Sequence, residues 1–145
     1  MPEPSLRERA LAYLARREHS RAELARKLAA YCEDRDEINT LLDDFAQRGW
    51  LSEARFAEMV VQARHGKFGS RRIAHELREK GVSEEAIAAA LPEVQENELE
   101  TARAVWAKKF GMVAADGKEK ARQMRFLASR GFDQEIIWKV LRLKE

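Results

Sequence analysis

Three histidines, His19, His65 and His75, and one cysteine, Cys32, are the only imidazole and thiol groups in the 145 residues. His75 opens His75-Glu76-Leu77-Arg78-Glu79, the first half of a zinc-peptidase helix, in which a histidine holds the metal and the next glutamate activates a water. The second ligand has to be a histidine four residues on, one turn along the same face, and Glu79 stands there. His19 and His65 do not complete a ligand set by spacing, so no metal is expected. Gly66-Lys67-Phe68-Gly69-Ser70 contains the residue types of a phosphate loop without the longer gap between glycines that lets backbone amides wrap a phosphate. It reads as a helix-breaking hinge, basic enough to touch an anion before a helix N-terminus. Ser, Cys and His show no nucleophile–base arrangement, and Cys32 reads as a chance thiol. Neither an enzyme nor a cofactor is expected.

What remains is charge. Arg71, Arg72 and Arg78 fall in one helical stretch, with Lys67 in the turn before it, and Arg122, Arg125 and Arg130 in another, with Lys108 and Lys109 ending the helix before it. Arg16, Arg17 and Arg21 repeat the theme near the start. Cations on corresponding helices suit a polyanion or an acidic protein surface. The formal net charge of +2 hides strong segregation. Residues 1–32 carry +3, 33–58 carry −5, 59–81 carry +4, 82–100 carry −6 and 101–130 carry +6, while 131–145 balance. Trp50, Trp106 and Trp138 fall at helical core positions or junctions and read as packing rather than as platforms for bases.

The elements that must position these cations are helices. Ala, Leu, Glu, Arg and Lys make up 83 residues, against 14 of Val, Ile and Thr, which leaves too little β-branched material for a sheet-based core. Caps and breakers divide the chain into nine helical stretches. Ser5, Ser20, Asp34, Ser52, Ser83 and Asp133 read as N-caps, Ser20 with Glu23 as a capping box, and Ser83 more loosely because Ala86 holds the acid's place. Gly49, Gly81, Gly111 and Gly131 read as stops. Leu24, Leu28, Ile38, Leu41, Leu42 and Phe45 supply one apolar face, and Phe56, Met59, Val60 and Ala63 another. The sixth helix is expected to close before Pro92.

The pattern repeats. A slide of 50 residues lays Leu77 on Leu127, Gly81 on Gly131, Ser83 on Asp133 and Ile87 on Ile137. A slide of 49 lays Leu24 on Ile73, Leu28 on Leu77 and Ile38 on Ile87. Shared offsets across two helices and a cap point to three copies of a three-helix unit, divided at 1–50, 51–95 and 96–145. Units of this size are marginal alone, so they are expected to pack end to end into an elongated, curved, all-α array. No apolar run reaches the length of a membrane span, the polar start does not read as a signal peptide, and a lone cysteine suits a reducing cytoplasm.

Several of these stretches resemble a known family. Arg16-Arg17-Glu18-His19-Ser20-Arg21-Ala22-Glu23-Leu24 looks like the opening signature of the bacterial RecX regulatory proteins. Gly49-Trp50-Leu51-Ser52-Glu53-Ala54-Arg55-Phe56-Ala57 and Lys67-Phe68-Gly69-Ser70-Arg71-Arg72-Ile73-Ala74-His75-Glu76-Leu77 follow in the family's order. Lys108-Lys109-Phe110-Gly111 and Arg122 with Phe126-Leu127 and Arg130-Gly131-Phe132 resemble its third repeat. Ser52-Glu53 stands where an acidic pair is usual, and Cys32 where a glycine is common.

The resemblance implies three tandem three-helix repeats and a non-enzymatic modulator of the RecA recombinase. RecX proteins bind in the helical groove of the RecA–DNA filament and block its extension or promote its disassembly. They thereby damp ATP hydrolysis, strand exchange and coprotease activity, within DNA recombination, DNA repair and the SOS response to DNA damage. A cytoplasmic monomer is expected, off the membrane, with at most weak direct contact to DNA. The twelve cations named above are the expected contacts, chosen by charge and repeat position. A stand-alone DNA-binding helical module is the alternative, since three-helix units with basic faces also read duplexes. The acidic blocks at 33–58 and 82–100 disfavour it, and an unrelated helical-repeat scaffold is the blander third option.

Overall fold

The computed structural model describes residues 2–142, so the last three residues of the expected third unit lie outside the described residues. Within them the chain forms nine α-helices and no strand: α1 (Leu6–Arg16), α2 (Arg21–Ala29), α3 (Arg35–Gln47), α4 (Glu53–Arg64), α5 (Ser70–Glu79), α6 (Glu84–Glu96), α7 (Glu98–Lys109), α8 (Gly117–Ser129) and α9 (Gln134–Arg142). Each run of three consecutive helices closes over its own apolar cluster. The repeat positions read from the sequence are the ones that bury. Leu28, Leu77 and Leu127 are fully enclosed, and Ile38, Ile87 and Ile137 nearly so. Burying a leucine or isoleucine of this kind stabilises by about 1.5–3 kcal/mol, so each unit rests on a handful of such residues.

The caps are of two kinds. Ser5 with Glu8 and Ser20 with Glu23 form complete capping boxes within their own helices. Ser83 accepts from the Ala86 amide, and its own amide donates to Glu53 of α4, which supplies the carboxylate that Ala86 cannot. Helix α5 has Gly69 at its N-cap with no side chain to close it. There the Ser70 amide and hydroxyl both donate to Glu98 Oε1 of α7, each at 2.9 Å, and Glu98 is only 4% exposed. Sequence reading finds boxes that close locally; a carboxylate arriving from 28 residues away is invisible to it.

Two expectations about helix faces need correction. Helix α6 does not stop before Pro92 but continues to Glu96, with Asn97 alone separating it from α7. Proline forfeits one amide bond inside a helix. The packing of α6 against both α4 and α5 outweighs that loss, and Val94, beyond the proline, still rests on the second core. In α4 the buried face is Phe56, Ala57, Val60 and Val61, and Ala63 is exposed, because the third turn leans toward α6.

The two joints differ. Between the second and third units, α6 runs almost directly into α7, and the Gly69 and Arg71 amides donate to the carbonyls of Arg130 (2.8 Å) and Gly131 (3.1 Å). The backbones approach so closely that a Cβ on Gly69 would sit 2.5 Å from the Gly131 carbonyl oxygen. Between the first and second units the one backbone hydrogen bond that crosses among the described residues is local, the Leu51 amide donating to the Phe45 carbonyl at 3.2 Å in the turn after α3. That joint is made of side chains: Arg55 with Glu18 at 2.9 Å, Lys80 with Glu23 at 3.8 Å, and Ala22 against Gly81.

Candidate interaction surface

Arginine needs something flat or anionic to hold its guanidinium in place, and the second joint supplies rings. Phe68 precedes α5, and Arg72, four residues on, places its guanidinium 4.0 Å from the ring centre. Arg130, at the C-cap of α8, lies 5.7 Å from the same ring and 5.0 Å from Phe126, four residues before it. Lys109 stands 5.5 Å from Phe126 on the other side, and Phe110 meets Phe126 edge-to-face at 5.4 Å. Arg122 completes the series 5.2 Å from Phe110. Cations and rings thus alternate from α5 of the second unit into α7 and α8 of the third. Arg72 Nη1 donates to the Ser129 carbonyl at 3.2 Å and binds its rung to the neighbouring unit.

Such stacks fix cations cheaply. Each cation–ring contact at an exposed site is worth about 0.5–1 kcal/mol, and it holds the side chain in one orientation with N–H groups outward. A surface of pre-placed donors loses less side-chain entropy when an anion arrives.

The twelve expected contact residues divide into three groups. Arg72, Arg130, Lys109 and Arg122 belong to the ladder, Arg122 also pairing with Glu119 at 3.0 Å. Lys67, Arg71, Lys108, Arg125 and Arg16 are exposed and, among the described residues, make no ion pair. Lys67 and Arg71 flank the Phe68 rung in sequence. Arg17, Arg21 and Arg78 are turned to partners within the chain. Arg78 forks onto Glu84 at 2.6 and 2.9 Å, and Arg21 meets Asp43 at 2.6 Å. Arg17 forks onto Glu23 at 2.9 and 3.2 Å. Burial pushes the Glu23 carboxyl up, but the Arg17 fork and the Ser20 amide outweigh it and hold the group below its ordinary range.

The rings are what sequence reading missed. Phe68 reads as a hinge residue, yet it and Phe110 are half-buried rings that pack against their units' cores and support cations. The signal was present as Phe126/Arg130, an aromatic with an arginine at i+4, the spacing that brings two side chains onto one helical face, and as the same spacing in Phe68/Arg72 across the start of α5. The tryptophans also differ from expectation. Trp106 is buried, its Nε1 donating to Gln123 Oε1 at 2.9 Å. Trp50 and Trp138 are 41% and 51% exposed and carry arginines, Arg7 and Arg48 over Trp50 and Arg142 over Trp138.

Other chemistry is not assembled. Among the described residues no three of His, Cys, Asp and Glu converge as a metal cage. His75 spends its Nε2 on Glu79 of the same helix. The Cys32 thiol donates toward the Glu37 carboxylate at 3.4 Å, and desolvation raises its pKa above the ordinary thiol value.

Three family models cover the chain in order: RecX first three-helix domain over residues 7–45, second over 52–91 and third over 96–141. The chain belongs to the RecX family. It is 51% identical over 144 residues to the regulatory protein RecX of Leptothrix cholodnii, covering 99% of this chain and 92% of the relative. The RecX proteins of Chromobacterium violaceum and Neisseria meningitidis are 47% and 43% identical, covering 94% and 97% of this chain and 89% and 92% of theirs. The crystal structure of RecX from Lactobacillus salivarius superimposes with a TM-score of 0.83 at 20% identity, over 95% of this chain and 93% of that one. The nine-helix fold and the regulatory character of the family are therefore established for this chain, and the ladder lies across the junction of the second and third RecX domains.

Proposed function

We propose that this RecX-family chain regulates a RecA-type recombinase by lying against its filament on DNA, limiting filament extension and with it ATP hydrolysis, strand exchange and coprotease activity. The observation that carries this reading is the row of cations fixed on Phe68, Phe126 and Phe110 across one joint. A negatively charged partner surface meets donors already in place there. The three units, divided at 1–50, 51–95 and 96–145, act as successive segments of the contact, and a single chain is the working form in the cytoplasm. Bare DNA is a poor match, because residues 82–100 carry six acidic residues and no cation, a block that repels phosphate.

The test is ATP turnover by an assembled recombinase–single-strand filament after addition of the purified protein. Inhibition is expected at amounts well below one chain per protomer, with weak binding to bare DNA. The pair Lys67→Glu/Arg71→Glu, which breaks no ion pair among the described residues, is expected to weaken inhibition at least tenfold while melting like wild type. Unchanged turnover with the wild-type protein overturns the function, and unchanged inhibition by the double variant overturns the contact surface.

A further inference from the structure

Among the described residues six large apolar side chains are exposed: Leu11, Tyr31, Trp50, Met112, Val113 and Trp138. Tyr31, Trp50 and Trp138 each lie under at least one arginine. Leu11 is exposed only to 38%. Met112 and Val113 are different. They are 75% and 56% exposed and adjacent in sequence at the tip of the loop between α7 and α8. Solvent-facing apolar pairs of this kind on a structured loop mark contact sites more often than scattered single residues do.

The tip stands on a fixed base. Gly111, at φ +67°, closes α7, its amide donating to the Trp106 carbonyl. Gln123 Nε2 donates to the Met112 carbonyl at 3.2 Å, while Gln123 Oε1 accepts from Trp106 Nε1. Gln123 is 2% exposed and occupies the repeat position that holds buried Ile73 in the second unit and buried Leu24 in the first. A core position has turned polar, and its two hydrogen bonds pin this loop. Asp116 accepts from the Glu119 amide at 2.8 Å and fixes the far end. The matching loops of the first two units show nothing similar: their residues are polar or basic, apart from Phe68, which Arg72 covers.

Around the tip cations outnumber acids, five against Asp116 and Glu119. Lys108 and Lys109 end α7, and Lys118, Lys120 and Arg122 lie in the first turns of α8. The one acid in that first turn, Glu119, is paired with Arg122. An apolar point inside a cationic collar complements an apolar pocket with an acidic rim. The tip carries no aromatic ring to stack on bases, and two side chains fall far short of the apolar face by which a helix enters a membrane surface.

We propose that Met112 and Val113 form an anchor that inserts into an apolar, acid-rimmed pocket on the protein partner. This rests on the proposed function for the partner's identity. The experiment uses the full chain and the double variant M112S/V113S, whose exposed positions leave the core and the Gln123 bonds intact. Binding is measured by anisotropy to three probes: a recombinase filament on single-stranded DNA, the same DNA alone, and vesicles of phosphatidylserine and phosphatidylcholine. The expected result is at least tenfold weaker binding to the filament, unchanged weak binding to the other two, an unchanged melting temperature, and full retention of filament binding by M112L/V113I. Filament binding by M112S/V113S equal to wild type overturns the anchor alone. A parallel loss on bare DNA or on vesicles overturns it in favour of a nucleic-acid or membrane contact. Failure of the wild-type chain to bind the filament overturns the proposed function and the anchor together.

Discussion

Replacing Glu98 with alanine tests whether the second joint is held as the structure indicates. Glu98 Oε1 accepts both the amide and the hydroxyl of Ser70 at 2.9 Å, in a place where the carboxylate is 4% exposed. Helix α5 has no cap of its own, so alanine leaves a buried N–H and O–H without an acceptor. Each unsatisfied buried donor costs about 1–3 kcal/mol, and a lost N-cap about 0.5–2 kcal/mol. Relief from burying a carboxylate offsets part of that, which sets the expectation at about 2–3 kcal/mol. Glu98→Gln keeps an acceptor and loses only the charge, so about 1 kcal/mol is expected. In a chain of this length 1 kcal/mol moves the melting temperature by about 2–4 °C, so alanine lowers it by about 4–12 °C and glutamine by about 2–4 °C. Helical circular dichroism on heating, checked by urea titration, reads both. Alanine within about 0.5 kcal/mol of wild type, or glutamine as harmful as alanine, would refute the idea that a carboxylate from α7 caps α5.

The same joint predicts that Gly69→Ala costs at least about 2 kcal/mol in urea unfolding, because its Cβ would meet the Gly131 backbone at 2.5–2.6 Å, where nothing flexible can yield. At the first joint Arg55→Ala is expected to cost no more than about 1 kcal/mol by the same measurement, since its pair with Glu18 is largely solvated. His19, buried with Nδ1 on the Arg17 carbonyl and Nε2 on Lys27, has a lowered pKa, chiefly from burial and further from the Arg17 and Lys27 charges. Above about 6.5, the ordinary imidazole value, it is neutral folded and unfolded, and no stability is lost. As pH falls below that value the unfolded chain takes up a proton that the folded chain refuses, so stability drops until the folded value is passed. Urea midpoints between pH 7 and 5 are expected to fall for wild type and to flatten for His19→Gln. Glu76, held low by Arg64, acts in a separate and more acid window, its contribution present above about 4.5 and lost as pH falls through its folded value.

Much of the architecture was legible because it depends on local rules. Helix ends follow from serine, aspartate and glycine within four residues of each other, and the buried stripe follows from 3.6-residue spacing. Ser5, Ser20, Asp34, Ser52, Ser83 and Gly131 all do what their neighbours imply. What escaped was decided over distance. Pro92 is tolerated because α4 and α5 hold α6 in place, and Glu53 and Glu98 cap helices other than their own. The cations illustrate the same divide. Their presence in three blocks is plain in the sequence, but which of them are spent is not. Arg72 and Arg122 occupy like places in the pattern, yet one rests on Phe68 and the Ser129 carbonyl while the other rests on Phe110 and is also paired with Glu119.

That divide bears on how a repeat protein comes to have one working face. Three units built alike would present two equivalent joints and three equivalent sets of arginines. Here Ala22 meets Gly81 at one joint, and at the other Arg72, one residue further along the repeat register, meets Gly131. Arg72 carries its guanidinium out over Phe68 and onto the Ser129 carbonyl, so the residue that packs on Gly131 also starts the ladder. Position 123 follows the same logic, since the glutamine that replaces a buried aliphatic residue is what tethers the Met112 loop. The tethered loop of the third unit thus arises from a departure at a repeat position whose counterparts, Leu24 and Ile73, serve packing.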